Sequence, residues 1–98
     1  MARFGHAARR LAAAARAAGL AVPAFRTPPR HRAAARTVRR MPGGVIIAVR
    51  LRGRPFAEVV ADMVEGVVVT NGLAGGAATR VRSMLFAALE PPSRQTAA

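Results

Sequence analysis

The chain has 98 residues, 52% of them apolar, and its 16 basic residues against four acidic ones give a formal net charge of +12. This length is enough for one small domain with one core and too short for two. The chain has no cysteine, which excludes disulfides, thiolate metal sites and cysteine nucleophiles, so packing must hold the fold together.

Residues 4 to 18 are predicted to form a first helix. Phe4, Leu11 and Ala15 fall on one apolar stripe, and Gly19 supplies a stop. Because the stripe is mostly alanine, it buries little apolar surface, and we expect the helix to dock weakly and to fray or depend on a partner. This acid-free, Arg- and Ala-rich segment also resembles a transit peptide. Organelle targeting by residues 1 to 20 is therefore the alternative to a cytoplasmic location.

Residues 21 to 36 are predicted to be a basic, proline-rich connector. Its three prolines prevent one regular element, although residues 22 to 25 are predicted to form a short edge strand, where a proline is tolerated. His31 in this connector and His6 in the first helix are interpreted as solvated side chains. Two histidines and four scattered acids do not have metal-ligand spacing, so neither a metal nor a cofactor is predicted.

Residues 37 to 54 are predicted to form a β-hairpin, because β-branched residues flank a Pro-Gly-Gly turn signal at positions 42 to 44. A two-residue loop would place Val38 on the face that carries Val45, Ile47 and Val49, and a three-residue loop would place it with Ala48. We favour the two-residue loop. Because Ile46 and Ala48 are apolar residues on the opposite face, we expect another element, with the first helix as the candidate, to cover the turn end of that face.

Residues 55 to 72 give the clearest helical pattern, with Pro55 predicted at the first helical position and Gly72 just past the end. Gly66 costs about 1 kcal/mol relative to alanine in such a helix. A strand at 67 to 70 is an alternative that we do not favour, because the helical period continues through it. The apolar stripe consists of Phe56, Val59, Val60, Met63, Val64, Val67 and Val68.

A last helix is predicted from 77 to 90, ended by two prolines and followed by a disordered tail at 91 to 98. Together these elements predict a small single α+β domain with an N-terminal helix, a β-hairpin, and two helices packed on one face of the hairpin. Residues 37 to 90 form its core. The side chains expected to be largely buried are Val49, Val60, Val64 and Leu85.

The segment Gly72-Leu73-Ala74-Gly75 is a GxxG sequence between two predicted helices. With the order helix, hairpin, helix, glycine turn and helix, it resembles the type II KH fold. That resemblance implies a loop whose backbone approaches nucleic-acid phosphates. The alternative interpretation is a flexible turn between two helices.

The charges are divided unequally along the chain. Thirteen arginines precede Glu58 with no acid among them, whereas three arginines and four acids lie from Glu58 onward. Such segregation favours an anionic partner. We predict that the hairpin binds nucleic-acid backbone, DNA or RNA, with low sequence specificity, because arginine forks match phosphate oxygens. The predicted contacts are Arg36, Arg39, Arg50, Arg52 and Arg54.

Nothing in the chain predicts an enzyme, because no pair of convergent acid and base groups and no phosphate-binding fingerprint occurs. The alternative function is an assembly or interaction subunit with no nucleic-acid role, in a homo-oligomer such as a homodimer or in a larger complex. An acidic protein surface is the alternative partner. A third interpretation is that the acidic face of the long helix binds arginines of the same chain or of another copy. No run of about twenty apolar residues predicts a transmembrane helix.

Overall fold

The computed structural model describes residues 2–27 and 36–89. Its elements follow in the order α1 (Ala2–Ala17), β1 (Ala24–Arg26), β2 (Arg36–Met41), β3 (Gly44–Val49), α2 (Phe56–Thr70) and α3 (Gly75–Leu89). The predicted α+β class is therefore confirmed. The predictions for His31, Glu90 and the tail at 91 to 98 lie outside the described residues.

The three strands form one sheet in the order β1-β3-β2. Strands β2 and β3 pair antiparallel with Met41 opposite Gly44, so the loop has two residues and Val38 lies opposite Ile47, as predicted. Strand β1 runs parallel to β3 and begins two residues later than the predicted edge strand. The sheet is thus a hairpin extended by one short strand from the connector.

The two faces of the sheet differ in burial. On the inner face, Ile47 and Val49 are buried against α2, with exposed fractions of 0% and 3%. On the outer face, Ile46 and Ala48 are half-buried. The first helix, the candidate for covering the turn end of this outer face, does not cover it, because α1 packs on α2 and α3 instead. The outer face consists of Ala24, Arg26, Thr37, Arg39, Met41, Ile46 and Ala48.

Helix α1 is part of the core, in contrast to the expected weak docking. Leu11 and Ala15 are fully buried, and Ala7 is 5% exposed. The rings of Phe4 and Phe56 lie 5.3 Å apart between centroids, which connects α1 to the start of α2. Small alanines let one helix approach its neighbours closely, so the alanine stripe supports close packing and Leu11 fills the contact.

The other core predictions are confirmed. Val49, Val60, Val64 and Leu85 are all buried, with exposed fractions of at most 6%. Helix α2 continues to Thr70, so the segment from 67 to 70 is helical and not a strand. The remaining two sides of this core are supplied by α1 and α3.

The predicted C-terminus of α2 is confirmed, whereas its first helical residue is Phe56 and not Pro55. Pro55 is the N-cap, with φ −60° and ψ 145°, and not the first helical residue. At the C-terminus, Gly72 has a φ of +62°. Its N–H donates to Val69 O, and the N–H of Leu73 donates to Val68 O. These two bonds form the Schellman motif that a glycine past the helix end permits.

Asn71, which the sequence did not single out, fixes the chain that leads into β1. Its side-chain oxygen accepts from the Ala21 N–H at 2.9 Å, and its side-chain nitrogen donates to Ala21 O at 2.9 Å and to Val67 O at 2.8 Å. The C-terminus of α2 is therefore bonded to a segment fifty residues earlier, which helps to hold β1 beside β3.

Gly66 lies where α2 comes closest to the sheet. A Cβ atom at this position would stand 3.2 Å from Phe25 Cε1 and 3.3 Å from Ile47 Cγ1. Contacts that short are tighter than ordinary van der Waals contacts, so a larger side chain would separate the helix from the sheet. Gly66 lowers the helix propensity of α2, but the absence of a side chain permits the close approach of this helix to the sheet.

We expect Gly66→Val to destabilise the fold by about 1–3 kcal/mol, the usual cost of overpacking a filled core. The measurement is chemical denaturation. Ala57→Val, at an exposed position of the same helix, introduces the same side chain without the sheet contact. Its change in helix propensity is unfavourable, whereas that of Gly66→Val is favourable, so a larger loss of stability in Gly66→Val reports the sheet contact. Equal stability of the two variants would contradict the role assigned to Gly66.

Candidate nucleic-acid interface

The structure separates the two predicted contacts on β2. Arg39 is exposed on the outer face, opposite Ile46. Arg36 pairs with Val49 and so lies on the inner face, near enough to Glu65 to help lower the pKa of that carboxyl. Alternation along one strand directs these two arginines to opposite sides of the sheet.

Arg54 is bonded within the chain. Its side chain is 5% exposed, and it forms ion pairs with Glu58, at 2.8 Å, and with Asp62. It also donates to Arg50 O at 2.9 Å. Burial would lower the pKa of Arg54, but its hydrogen bonds to Asp62 and Glu58 outweigh that effect and raise it. Arg54 therefore joins the loop after β3 to the first two turns of α2.

The other two predicted contacts lie beyond the sheet. Strand β3 ends at Val49, so Arg50 and Arg52 do not extend the strand face as expected. Arg50 is half-buried, whereas Arg52 is exposed in the turn that follows. Of the five predicted contacts, Arg39 and Arg52 are therefore the two that are exposed outside the helical side of the fold.

Every carboxylate in the described part of the chain is paired with an arginine. Glu58 and Asp62 contact Arg54, and Glu65 accepts two hydrogen bonds from Arg82, at 2.9 and 2.7 Å. This arrangement corresponds to the third interpretation, in which the acidic face of the long helix binds arginines of the same chain. The negative charges are thus neutralised locally on the helical side.

The outer face carries two arginines and, within the described ranges, no carboxylate. Arg26 lies beside Ala48, and Arg39 lies beside Ile46 on the opposite edge strand. Two strand spacings and two residues along a strand separate their backbones by roughly 12 Å. Both side chains are exposed. The sequence did not point to Arg26, because its predicted strand ended one residue earlier.

A cavity of about 380 Å³ opens at the hairpin-turn end of the outer face. Its walls are mostly apolar, and Gly43 and Gly44 contribute no side chains to the lining at the turn. It lies next to the row that joins Ala24, Ile46 and Arg39 across the three strands. The lining residues are Val22, Ala24, Met41, Pro42, Gly43, Gly44, Val45 and Ile46.

The GxxG segment joins α2 to α3, and its two glycines have φ values of +62° and +57°. Both positions are exposed. Among residues 2–27 and 36–89, no strand follows α3, and the strand parallel to β3 is β1, upstream of the hairpin. The order of helices and hairpin resembles the type II KH fold, but the sheet is completed by a different part of the chain.

The pair between Glu65 and Arg82 predicts a pH dependence of stability. The hydrogen bond from Arg82 holds the pKa of Glu65 below its ordinary value of 4.5, against an opposing effect of burial. A lowered folded-state pKa contributes stability above about pH 4.5, and this contribution disappears as the pH falls through the folded-state value. We therefore expect wild type to melt above Glu65→Gln at pH 7 and the difference to narrow in acid. A constant difference from pH 7 to pH 2 would contradict this.

Comparison of the chain with protein-family models, curated proteins and solved structures gives no match. No helix in the described ranges is long and apolar enough to cross a membrane. The same ranges contain no group of three or more His, Asp or Glu side chains that could hold a metal ion. The assignment of a function therefore depends on the geometry and the charges.

Proposed function

We propose that this chain is a non-enzymatic protein that binds nucleic-acid backbone, DNA or RNA, through the outer face of its sheet, with low sequence specificity. The observation that carries the proposal is the placement of the described acids. The described carboxylates are engaged by Arg54 and Arg82 on the helical side, whereas the outer face carries exposed arginines and no described acid. A surface that carries only positive charges attracts a polyanion over a distance of about a Debye length.

Three exposed arginines are assigned to the contact. Arg26 and Arg39 stand on the outer face, and Arg52 lies in the turn after β3, at the end of the sheet away from the hairpin loop. Each guanidinium can donate two parallel hydrogen bonds to one phosphate. Such contacts orient the nucleic acid but do not distinguish base sequences, and we therefore propose low sequence specificity.

The experiment is a titration of the full chain against a labelled duplex DNA and a labelled RNA at a series of salt concentrations. Three phosphate contacts should give a slope of log affinity against log salt of about −2.7, because each duplex phosphate contributes roughly −0.9. Absence of binding to both nucleic acids at low salt would contradict the proposal.

A homodimer that serves as an assembly subunit is the second candidate function. It is favoured by large apolar side chains at the surface: Val38, Met41 and Phe86 are 40%, 46% and 40% exposed. Exposed apolar groups commonly mark subunit contacts. Of these, Phe86 on α3 is the better contact, because arginines on the free edge of β2 oppose pairing with an identical strand. Sedimentation as a monomer at high micromolar concentration would exclude this candidate.

A cytoplasmic location belongs to the same proposal. The alternative, in which residues 1 to 20 are a removable targeting segment, is disfavoured by the burial of Leu11 and Ala15. Removal of that segment would take fully buried side chains out of the core.

A further inference from the structure

We propose that the outer face prefers single-stranded nucleic acid and that the cavity at its hairpin-turn end receives one unstacked base. This inference rests on the proposed function, since it takes the outer face as the backbone contact. It names the class of nucleic acid and adds a site that the backbone contact alone does not require.

The cavity has the size and lining of a small-molecule site. Its volume of about 380 Å³ lies within the range of roughly 300–1,000 Å³ that is typical of ligand pockets. Ala24 and Ile46 form apolar walls between the strands, and Met41 closes the side toward β2. A methionine sulfur makes favourable contacts with aromatic rings. A flat heterocycle therefore fits these walls better than a charged side chain does.

The cavity and a phosphate contact are adjacent. Ala24, Ile46 and Arg39 are paired in one row across the three strands, so the backbone of Arg39 lies roughly 10 Å or less, at most two strand spacings, from the backbone of the cavity wall. One nucleotide can thus place its phosphate at Arg39 and its base in the cavity. Charge complementarity explains why an apolar cavity in this position favours a nucleic acid over a neutral apolar ligand.

A duplex cannot use this site without distortion. Its bases are paired and stacked, and extrusion of one base requires the loss of pairing and stacking, whereas a single strand presents bases that are already unstacked. No aromatic side chain lies on the outer face among the described residues, since Phe25 is directed to the inner face against Gly66. The base is therefore held by aliphatic and methionine contacts, without an aromatic platform.

The test compares three ligands of equal length at one low salt concentration: single-stranded oligo-dT, the same strand in a duplex, and a single strand with abasic residues. We expect oligo-dT to bind more tightly than the duplex and about five- to tenfold more tightly than the abasic strand, which is near the lower limit of the effect known for one base stacked on an aromatic ring. The abasic strand is the decisive control, because it keeps the phosphates and removes the bases.

The matching protein variant is Ala24→Leu, which fills the cavity at an exposed β1 position and leaves the net charge unchanged. This variant should bind oligo-dT no more tightly than the abasic strand, and its affinity for the abasic strand should equal that of wild type. Ala13→Leu, the same change at an exposed position of α1, should leave the affinities for oligo-dT and for the abasic strand unchanged. Thermal melts of both variants check that the fold is retained.

The outcomes separate this inference from the proposed function. Equal binding of oligo-dT and the abasic strand would overturn the base site and leave the backbone contact standing. An Ala24→Leu variant that weakens both strands equally would also overturn it. Absence of binding to all three ligands would overturn the proposed function as well. Equally tight binding of polyglutamate with the same number of negative charges as oligo-dT would assign the outer face to an acidic protein. It would overturn both the base site and the proposed function.

Discussion

Replacement of Leu11 by Asp is expected to abolish the cooperative unfolding transition. Leu11 is fully buried where α1 contacts the rest of the core. Loss of a buried leucine costs about 2–5 kcal/mol, and an unpaired charge in its place adds several more. A domain of this size has a total stability of roughly 5–15 kcal/mol. The sum is comparable to the whole stability, so the variant should lack a sigmoidal melt.

The matched control is Ala13→Asp, which introduces the same charge on an exposed position of the same helix. It should melt cooperatively and lose less than about 1 kcal/mol, the range of helix propensity. If Leu11→Asp also melts cooperatively near the wild-type temperature, α1 is not integral to the fold, and the weak docking expected from its alanine stripe is correct.

Periodicity predicted the helices and the hairpin well because each of these elements buries one continuous stripe. The stripe of α2 identified the residues that pack on β3, and the turn signal fixed the register that places Val38 opposite Ile47. The integration of α1 was not predictable in this way. An alanine stripe has little apolar area, and its value depends on how closely the neighbouring helices approach, which is a property of the tertiary structure.

The candidate site was predicted in part. Strand alternation correctly directed Arg39 outward, but it does not apply to Arg50 and Arg52 because β3 ends at Val49. A local signal for Arg54 was present in the sequence, since Glu58 and Asp62 follow it at four and eight residues, on the face of α2 that the arginine reaches. Arg26 required the parallel pairing of β1 with β3, a contact between segments about twenty residues apart that no local pattern encodes.

The second large effect concerns binding. The triple variant Arg26→Ala, Arg39→Ala and Arg52→Ala should weaken binding of duplex DNA and of RNA about a thousandfold or more at low salt, because hydrogen bonds to charged groups contribute roughly 1.5–3 kcal/mol each. All three side chains are exposed, so the fold should be unaffected. The loss should be similar for every base sequence, since phosphate contacts do not read bases.

A control of equal charge separates a local contact from the general attraction of a basic protein. The triple variant Arg9→Ala, Arg16→Ala and Arg80→Ala also removes three exposed arginines, but from α1 and α3 on the helical side. Both variants have a formal net charge of +9, which is the wild-type +12 less three. A difference in affinity between them therefore reports the position of the charges and not their number.

The most direct test is the salt dependence of duplex binding measured side by side for these two triple variants and wild type. The proposed interface predicts that removal of Arg26, Arg39 and Arg52 flattens the slope of log affinity against log salt by about 2.7 units, and that removal of the three helix arginines leaves it nearly unchanged. Equal slopes for the two variants would contradict the assignment of nucleic-acid binding to the outer face of the sheet.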